Sequence, residues 1–577
     1  LQTKSFDVAI VGGGPAGATA ATMLRKFAPQ LSVVVLEREN FPRDHVGESL
    51  LPVVSNILNQ MGCWEKVEAA GFPVKIGATY KWGSSDDLWD FDFLPGETYE
   101  DAPRPADFKG QRARTAFQVD RAIYDDILLK HASSLGAQVL EGTSVKEIKT
   151  EGDRITGLQL ADSTEIQARY YLDCTGNSAL LSRSLRIKRL EPSPLRNIAI
   201  WSYWQNADWA VKIGVSGTRI QVMSLGWGWI WFIPLGPTRT SIGLVVPAVY
   251  WKKSGKTPAD LYLEALDGEP TISFLLRNAS REEKTFTTKD WSFVSERIVG
   301  PNWFLLGEAA GFADPILSAG VTITQVGALE AAATIAELER GELDADWLTS
   351  EYEKAQKRRI LTHIKFADFW YSANAHFTDL VEYTGKIAED AGVHLNGKAA
   401  WQWLGSGGFV DLDMGGAGLG GFSLVSASWL VADFMQSVPT WSIASNNIFR
   451  PNLDGAEPSY LALFGQGRVA RIPALKREDK TIPTTEICGF LLDTVTKYSR
   501  IEDILLQIQK VWCSGSRAKG IYYAKALQVF EAMVNDGWIS AEYDPRMGLF
   551  DADLLFKDVP QFHPNRDNVS LVDEKFP

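Results

Sequence analysis

Cysteine is scarce. The 577-residue chain has four, Cys63, Cys174, Cys488 and Cys513, with no Cys-x-x-Cys pair and no Cys/His cluster. Neither a zinc site nor a disulfide framework is expected, and a reducing, cytoplasmic setting is. Histidine is as thin, six residues and scattered, so no metal site is expected. No apolar run approaches the roughly 18 residues of a spanning helix. The short apolar run at 8–11 passes straight into glycines, unlike a secretory leader. Positive charge is in deficit, 58 Lys and Arg against 71 Asp and Glu, for a formal charge of −13. That balance disfavours nucleic acid and an anionic membrane surface as partners.

Tryptophan is in excess, with 20 residues. Three fall within five positions of the stretch Gly226-Trp227-Gly228-Trp229-Ile230-Trp231-Phe232-Ile233-Pro234-Leu235. A strand period of two puts Trp229, Trp231 and Ile233 on one face. On alternation alone this reads as a Trp-rich core strand. Two indoles side by side can also screen one side of a flat ligand.

The N-terminus carries the other strong signal. An apolar run at 6–11 leads into Gly12-Gly13-Gly14-Pro15-Ala16-Gly17 and then an Ala-rich helical pattern to residue 27. This strand, turn and helix give a Gly-x-Gly-x-x-Gly its meaning. Gly12 permits the tight turn, Gly14 lets the backbone approach a diphosphate, and Gly17 permits close helix–strand packing, with the diphosphate at the helix N-terminus. A second apolar run at 33–36 ends in Glu37, 20 residues beyond Gly17, where an acid bonds an adenosine ribose. Ala16 and Arg38 adjoin these positions and belong to the same candidate site.

More than one core is expected at this length. Residues 197–246 read as successive strands, 322–338 and 347–377 as helices, and 485–496, 501–512 and 524–536 as three more helices before a strand at 538–543. The Gly-rich stretch 404–424 reads as a linker or a lid. A helix–helix–helix–strand order ending in Asp536-Gly537 suggests a winged-helix-like unit. Over 465–577, 15 Lys and Arg stand against 16 Asp and Glu with no basic stripe, which argues against a DNA role.

Further segments recur in fixed order: Phe41-Pro42-Arg43, Val46-Gly47-Glu48-Ser49-Leu50-Leu51-Pro52, Gln118-Val119-Asp120-Arg121, Asp173-Cys174-Thr175-Gly176-Asn177-Ser178, Trp229-Ile230-Trp231-Phe232-Ile233-Pro234, Asp290-Trp291-Ser292, Gly307-Glu308-Ala309-Ala310-Gly311 and Asp314-Pro315-Ile316-Leu317-Ser318-Ala319-Gly320-Val321. Together with the glycine turn they resemble the flavin-dependent halogenases. The resemblance implies FAD, with Arg43 near the diphosphate, Glu48 and Ser49 near the isoalloxazine, and Arg121, Gly307, Glu308 and Val321 as further contacts. Glu308 stands where the family usually has Asp. Asp290 falls where a carboxylate lies by the dimethylbenzene edge, either bonded to the ring methyl or as an ordinary cap. Halide is implied at the backbone of Ser318, Ala319 and Gly320. Lys75 falls on the position of an essential lysine in the phenol-, pyrrole- and chloramphenicol-type branches, with Lys81 its only nearby rival. Tryptophan halogenases carry Glu just before the Ser; here it is Leu317, which argues against that branch.

The implied fold is mixed α/β and α+β. A Rossmann-like FAD module of the aromatic-hydroxylase type spans 1–190 and 298–340, with 76–109 on the substrate side. An antiparallel-sheet substrate subdomain covers 191–297, a helical or irregular segment 341–464, and the winged-helix-like unit 465–577. The implied reaction uses FADH2 from a separate flavin reductase, O2 and chloride or bromide to make hypohalous acid. Lys75 directs it to a small or carrier-protein-bound substrate, while Trp229 and Trp231 keep substrate off the flavin. The runner-up is a single-component FAD hydroxylase that oxidises NAD(P)H. A third reading is a flavin-binding regulatory protein without catalysis.

Overall fold

The β-branched run at the N-terminus becomes the middle of a parallel sheet. Thr3–Val11 pairs in parallel with Val33–Leu36 on one side and Glu165–Asp173 on the other, and Val8 to Val11 are buried. Burial on both faces explains why that run is apolar without alternation. Gln138–Leu140 and Trp303–Leu305 add parallel strands, and the hairpin Val145–Glu151 with Arg154–Leu160 extends the sheet antiparallel to seven strands. The computed structural model describes residues 2–82, 88–93, 99, 103–210, 217–290, 292–372, 442–478, 480–512, 526–527, 529–550 and 562–564. Among these no helix is long and apolar enough to cross a membrane.

The helix Pro15–Phe27 starts directly from the glycine turn. A Cβ on Gly17 would lie 1.9 Å from the carbonyl oxygen of Gly12, so only glycine lets the helix sit against the turn. Gly12 has φ +106°, and a Cβ there would lie 2.3 Å from the Cys174 carbonyl oxygen. The turn is thus wedged between two elements with no room for a side chain.

A second, ten-stranded sheet runs Ser280–Arg281, Asn197–Gln205, Arg239–Pro247, Trp229–Pro234, Gly217–Ser224, Val74–Lys81, Leu88–Asp92 and Phe562–Pro564, with Phe286–Asp290 and Ala116–Phe117 paired to its members. The expected strands at 197–246 are present. The sheet is not confined to 191–297, however, nor wholly antiparallel, because Val74–Lys81 pairs in parallel with Gly217–Ser224. Residues 88–92 form one of its strands. Alternation divides the sheet between two cores. Trp201, Tyr203, Ile220, Val222, Trp229, Trp231 and Ile233 join the core of the N-terminal module. Ile200, Met223, Ile230, Phe232, Ile242 and Leu244 pack with Leu261, Tyr262 and Leu266 of helix Pro258–Gly268.

The expected boundary at 465 needs correction. Residue 465 lies at the tip of a hairpin, Glu457–Gly465 with Arg468–Arg477, paired along its whole length. A third core runs from Ile443 to Phe550, so 341–464 does not end where a unit ends. Helices Glu486–Lys497 and Ile501–Trp512 match expectation. The strand Ile539–Glu542 pairs backward with Ile448–Pro451, and among the described residues it enters no wing hairpin. The tip of the 457–477 hairpin docks on the N-terminal module: a Cβ on Gly467 would lie 2.5 Å from the Phe27 ring, and Arg340 donates to the Gly467 carbonyl at 2.8 Å. The stretch 404–424 lies outside the described residues.

Candidate active site

One cavity of about 1070 Å3 runs from the glycine turn to the tryptophan strand. Gly12, Gly14, Ala16, Glu37, Arg38 and Arg43 line it, as do Glu48, Ser49, Arg121, Gly307 and Glu308. Ser318, Gly320, Val321, Trp229 and Trp231 line it too. Segments far apart in sequence therefore meet around one cavity. Gly17 serves packing, as its spacing implied, and does not border the cavity. Ala319 is fully buried and caps the 21-residue helix Gly320–Arg340. Asp290 ends the strand Phe286–Asp290 opposite Asn197, and Trp291 lies outside the described residues.

The cavity wall holds polar groups that await a partner. Arg43 has a buried Nη1 with no hydrogen bond, 3.6 Å from Asp125, and its Nη2 would lie 3.4 Å from a Cβ on Gly14. A cation thus faces the open side of the turn, at the positive end of helix Pro15–Phe27, where a diphosphate fits. The Ser49 hydroxyl and the Trp201 indole N–H are likewise buried without partners among the described residues. Glu37 is less free than its spacing suggested. Its carboxylate accepts from the Gly13 N–H at 2.6 Å and from the Glu39 N–H at 2.9 Å, which leaves its remaining lone pairs for a ribose. Arg38 is largely exposed and pairs with Glu39. Arg121 is locked by Asp125 through both guanidinium nitrogens, at 2.7 and 2.9 Å, and donates to the Val46 carbonyl at 2.8 Å. It shapes the turn before Glu48 from within.

Glu48 is buried, and burial pushes its carboxyl up to about 7 against the opposing pull of Tyr203 and Arg121. The Tyr203 hydroxyl donates to Oε1 at 3.1 Å, and the Gly47 N–H donates to Oε2 at 3.2 Å. Ser318 takes a left-handed φ of 53°, and its N–H donates to the Pro315 carbonyl at 2.9 Å. The loop then turns at once into the helix Gly320–Arg340, whose first turn carries no acid. Its N–H groups and dipole suit an anion.

Trp229 and Trp231 are buried on the cavity side, with ring centroids 6.1 Å apart. Gly243 stands opposite Trp231 in register, and a Cβ there would come within 2.1 Å of the indole. Glycine at 243 is what admits the ring.

Lys75 does not border the cavity. It is 2% exposed, and its ammonium lies over the Phe93 ring at 5.6 Å, with no hydrogen bond or ion pair found among the described residues. Burial alone lowers its pKa to about 7. Its direction comes from a β-bulge. Thr218 faces Lys75 and Ile220 faces Ala78, so two steps on one strand match three on the other. The extra residue turns Lys75 to the side of Ile220, which lines the cavity. Plain alternation would have put Lys75 with Lys81. Lys81 instead pairs with Glu269 at 2.7 Å, on the side of the helix core, which accounts for the rival lysine.

A family model described as tryptophan halogenase matches residues 7–115 and 97–379. The chain belongs to the flavin-dependent halogenases. It is similar to a tryptophan 2-halogenase of Chondromyces crocatus, 33% identical over 380 residues that cover 64% of this chain and 69% of that protein. It is also similar to a chlorinase of 1H-pyrrole-2-carbonyl peptidyl-carrier protein from Pseudomonas fluorescens, 32% identical over 399 residues, 66% of this chain and 87% of the other. In fold it is similar to the flavin-dependent halogenase CmlS, with a TM-score of 0.70, 23% identity and coverage of 95% and 98% of the two chains. The chondrochloren halogenase CndH gives a TM-score of 0.58 at 27% identity, over 75% of this chain and 97% of that one. This halogenase is an oxidoreductase that uses FAD together with a halide ion.

Sequence reasoning missed several residues of the halogenase site. Tyr203 sits on Glu48, and Trp201 stacks on Phe286 at 5.2 Å beside Trp231. Gly243 and Tyr371 were invisible because their roles depend on cross-strand register and on a distant helix. Tyr203 and Trp201 could have been found, since they alternate on a strand already predicted. Among the described residues no group of three or more His, Cys, Asp or Glu is placed to hold a metal ion, and no disulfide joins Cys63, Cys174 or Cys488.

Proposed function

We propose that the enzyme halogenates an electron-rich carbon of a small or carrier-tethered natural-product intermediate, using FADH2 delivered by a separate reductase. One observation carries this reading: Lys75, buried and without a charge partner among the described residues, lies outside a cavity that is lined by Trp229 and Trp231 and is large enough for the dinucleotide. Reduced FAD, when bound, supplies two electrons and two protons that, with O2, one further proton and a halide ion, yield hypohalous acid and water.

The chain's own residues organise that chemistry. Gly12, Gly14 and Arg43 hold the diphosphate, with Ala16, Glu37 and Arg38 toward the adenosine. Ser49, Arg121, Gly307, Glu308 and Val321 border the rest of the cofactor, and Asp290 approaches its far edge. The loop Ser318-Ala319-Gly320 seats the halide through the N–H groups of Ala319 and Gly320, while the Ser318 N–H is held by the Pro315 carbonyl. Trp229 and Trp231 keep the organic substrate out of the cofactor cavity, so that the oxidant and not the substrate crosses. Glu48, with a pKa of about 7, can hold or release a proton at neutral pH beside the cofactor. Lys75, also near 7, is present in both forms. As ammonium it donates to the oxygen of hypohalous acid and makes the halogen more electrophilic. As amine it takes the halogen onto Nζ with release of water, then passes it to carbon.

Leu317, in place of a carboxylate before Ser318, favours a phenol, pyrrole or activated methylene over tryptophan. The similarity to a carrier-protein chlorinase supports a tethered substrate. The test supplies FADH2 from a reductase, O2, chloride or bromide, and a panel of free and carrier-bound aromatics. Halide-dependent halogenated product, abolished by Lys75→Ala, is the expected result. Hydroxylated product indifferent to halide, with NAD(P)H oxidised by the chain itself, would establish the single-component hydroxylase instead.

A further inference from the structure

We propose that Tyr371 is a positioning residue that ties the indole wall to the loop of Asp314–Gly320, so that the barrier and the halide seat hold one fixed geometry. The inference rests on the placement of halide at Ser318–Gly320 given above. Tyr371 comes from neither segment. It is the next-to-last residue of the helix Ala345–Ser372, 142 residues from Trp229 and 57 from Asp314.

Its hydroxyl stands between the two. It accepts from the Trp229 indole N–H at 2.7 Å and from the Asn197 amide at 3.5 Å, and it donates to Asp314 Oδ1 at 3.2 Å. The same carboxylate oxygen accepts from the Ile316 N–H at 2.9 Å, which fixes the short turn Pro315–Leu317. That turn delivers Ser318 in its left-handed conformation and starts the helix at Gly320. The phenol itself has little freedom. It is 1% exposed, and its ring meets Trp82 edge-on at 5.8 Å. Fully buried polar chains of this kind admit few alternative arrangements, because each broken link leaves a buried group unpaired.

The electrostatics agree with an anion seat nearby. Burial raises the Asp314 carboxyl to about 7, and it raises Asp368, held by the Ser193 hydroxyl at 2.5 Å, to about 7 as well. The repulsion between these two acids favours a state in which they are not both ionised. The full negative charge that would oppose halide a few residues on is thereby muted.

Tyr371→Phe removes both links at once and keeps the ring. In the full-length, FAD-loaded enzyme, amide hydrogen exchange over 314–320 is expected to quicken. The halide KM is expected to rise roughly 5–10-fold, the size of one lost hydrogen bond, while kcat at saturating halide changes less than about 2-fold. Asp314→Ala should behave alike, and the double variant should be no worse than either single one. Asp314→Asn keeps an acceptor oxygen and should exchange at the wild-type rate, which guards against a folding defect in the phenylalanine variant. Unchanged exchange over 314–320 in Tyr371→Phe and Asp314→Ala would overturn the tie. Faster exchange with an unchanged halide KM would leave the tie standing and overturn the halide seat at Ser318–Gly320.

Discussion

Glu48 and Lys75 both titrate at about 7, and they arrive there by different routes. Glu48 borders the large cavity with a donor on each oxygen and the Arg121 charge close by, so burial is partly offset. Lys75 lies off the cavity against Phe93 and the Ala116 backbone, and nothing offsets its burial. The cofactor side handles charge with partners, as a site for a polar dinucleotide must. The far side leaves one amine in apolar surroundings, where the fold gains nothing from its charge. A group kept under that penalty is better explained by chemistry than by stability.

The contrast breaks most visibly at Lys75. Lys75→Ala should lower halogenated product by about 100-fold or more, while the flavin difference spectrum shows FAD still bound. Loss of FAD binding would show that the two sides are not separate.

The next effect is on stability against pH. Lys75 has its folded pKa depressed from 10.5 to about 7. The unfolded chain then binds the extra proton between pH 7 and 10.5, and stability rises with pH across that window. Glu48 has its folded pKa raised from 4.5 to about 7. The folded chain binds the extra proton there, and stability falls as pH rises from 4.5 to 7. Lys75→Met should remove the upper limb and stabilise the protein at pH 7, and Glu48→Gln should remove the lower one. Each limb is on the order of a few kcal/mol, readable from chemical denaturation at several pH values. A Lys75→Met enzyme less stable at pH 7 would mean that the amine has a structural partner.

A smaller effect is expected at the wall. Gly243→Ala forces the Trp231 indole aside, and overpacking of this kind costs about 1–3 kcal/mol. It should also raise the ratio of hydroxylated to halogenated product, read by mass. An unchanged ratio would mean that Trp231 is core and not barrier. The smallest effect belongs to Lys81→Met, which removes a single ion pair to Glu269. Activity should stay within about 2-fold, with stability lowered by about 1 kcal/mol.

The fold around the cavity was legible in the sequence because its determinants are local. The glycine turn, the acid at 37 and the alternation of Trp229 and Trp231 each need only a few neighbouring residues. The far side was not, since it is built by pairing. Alternation within residues 74–81 groups Lys75 with Lys81, and only the bulge against Thr218 and Arg219 separates them. Gly243 looks like any strand glycine until Trp231 is placed across from it. The boundary at 465 fell at the tip of a hairpin whose second arm, Arg468–Arg477, carries most of its charges at exposed positions, as a linker would. Tyr371 lay in a segment read only as a helix, and its partners Trp229 and Asp314 are far from it in sequence.

The one-residue excess at Lys75 and Ile76 also bears on how such a catalyst can change. Point substitutions along this strand alter a side chain in place. Removing or adding a single codon would restore even spacing, bring the neighbour of Lys75 to the chamber and send the amine into the opposite layer. Length, more than identity, is the fragile property of this short piece of chain. Lineages that lost the chemistry through such a slip would still carry every motif residue in order.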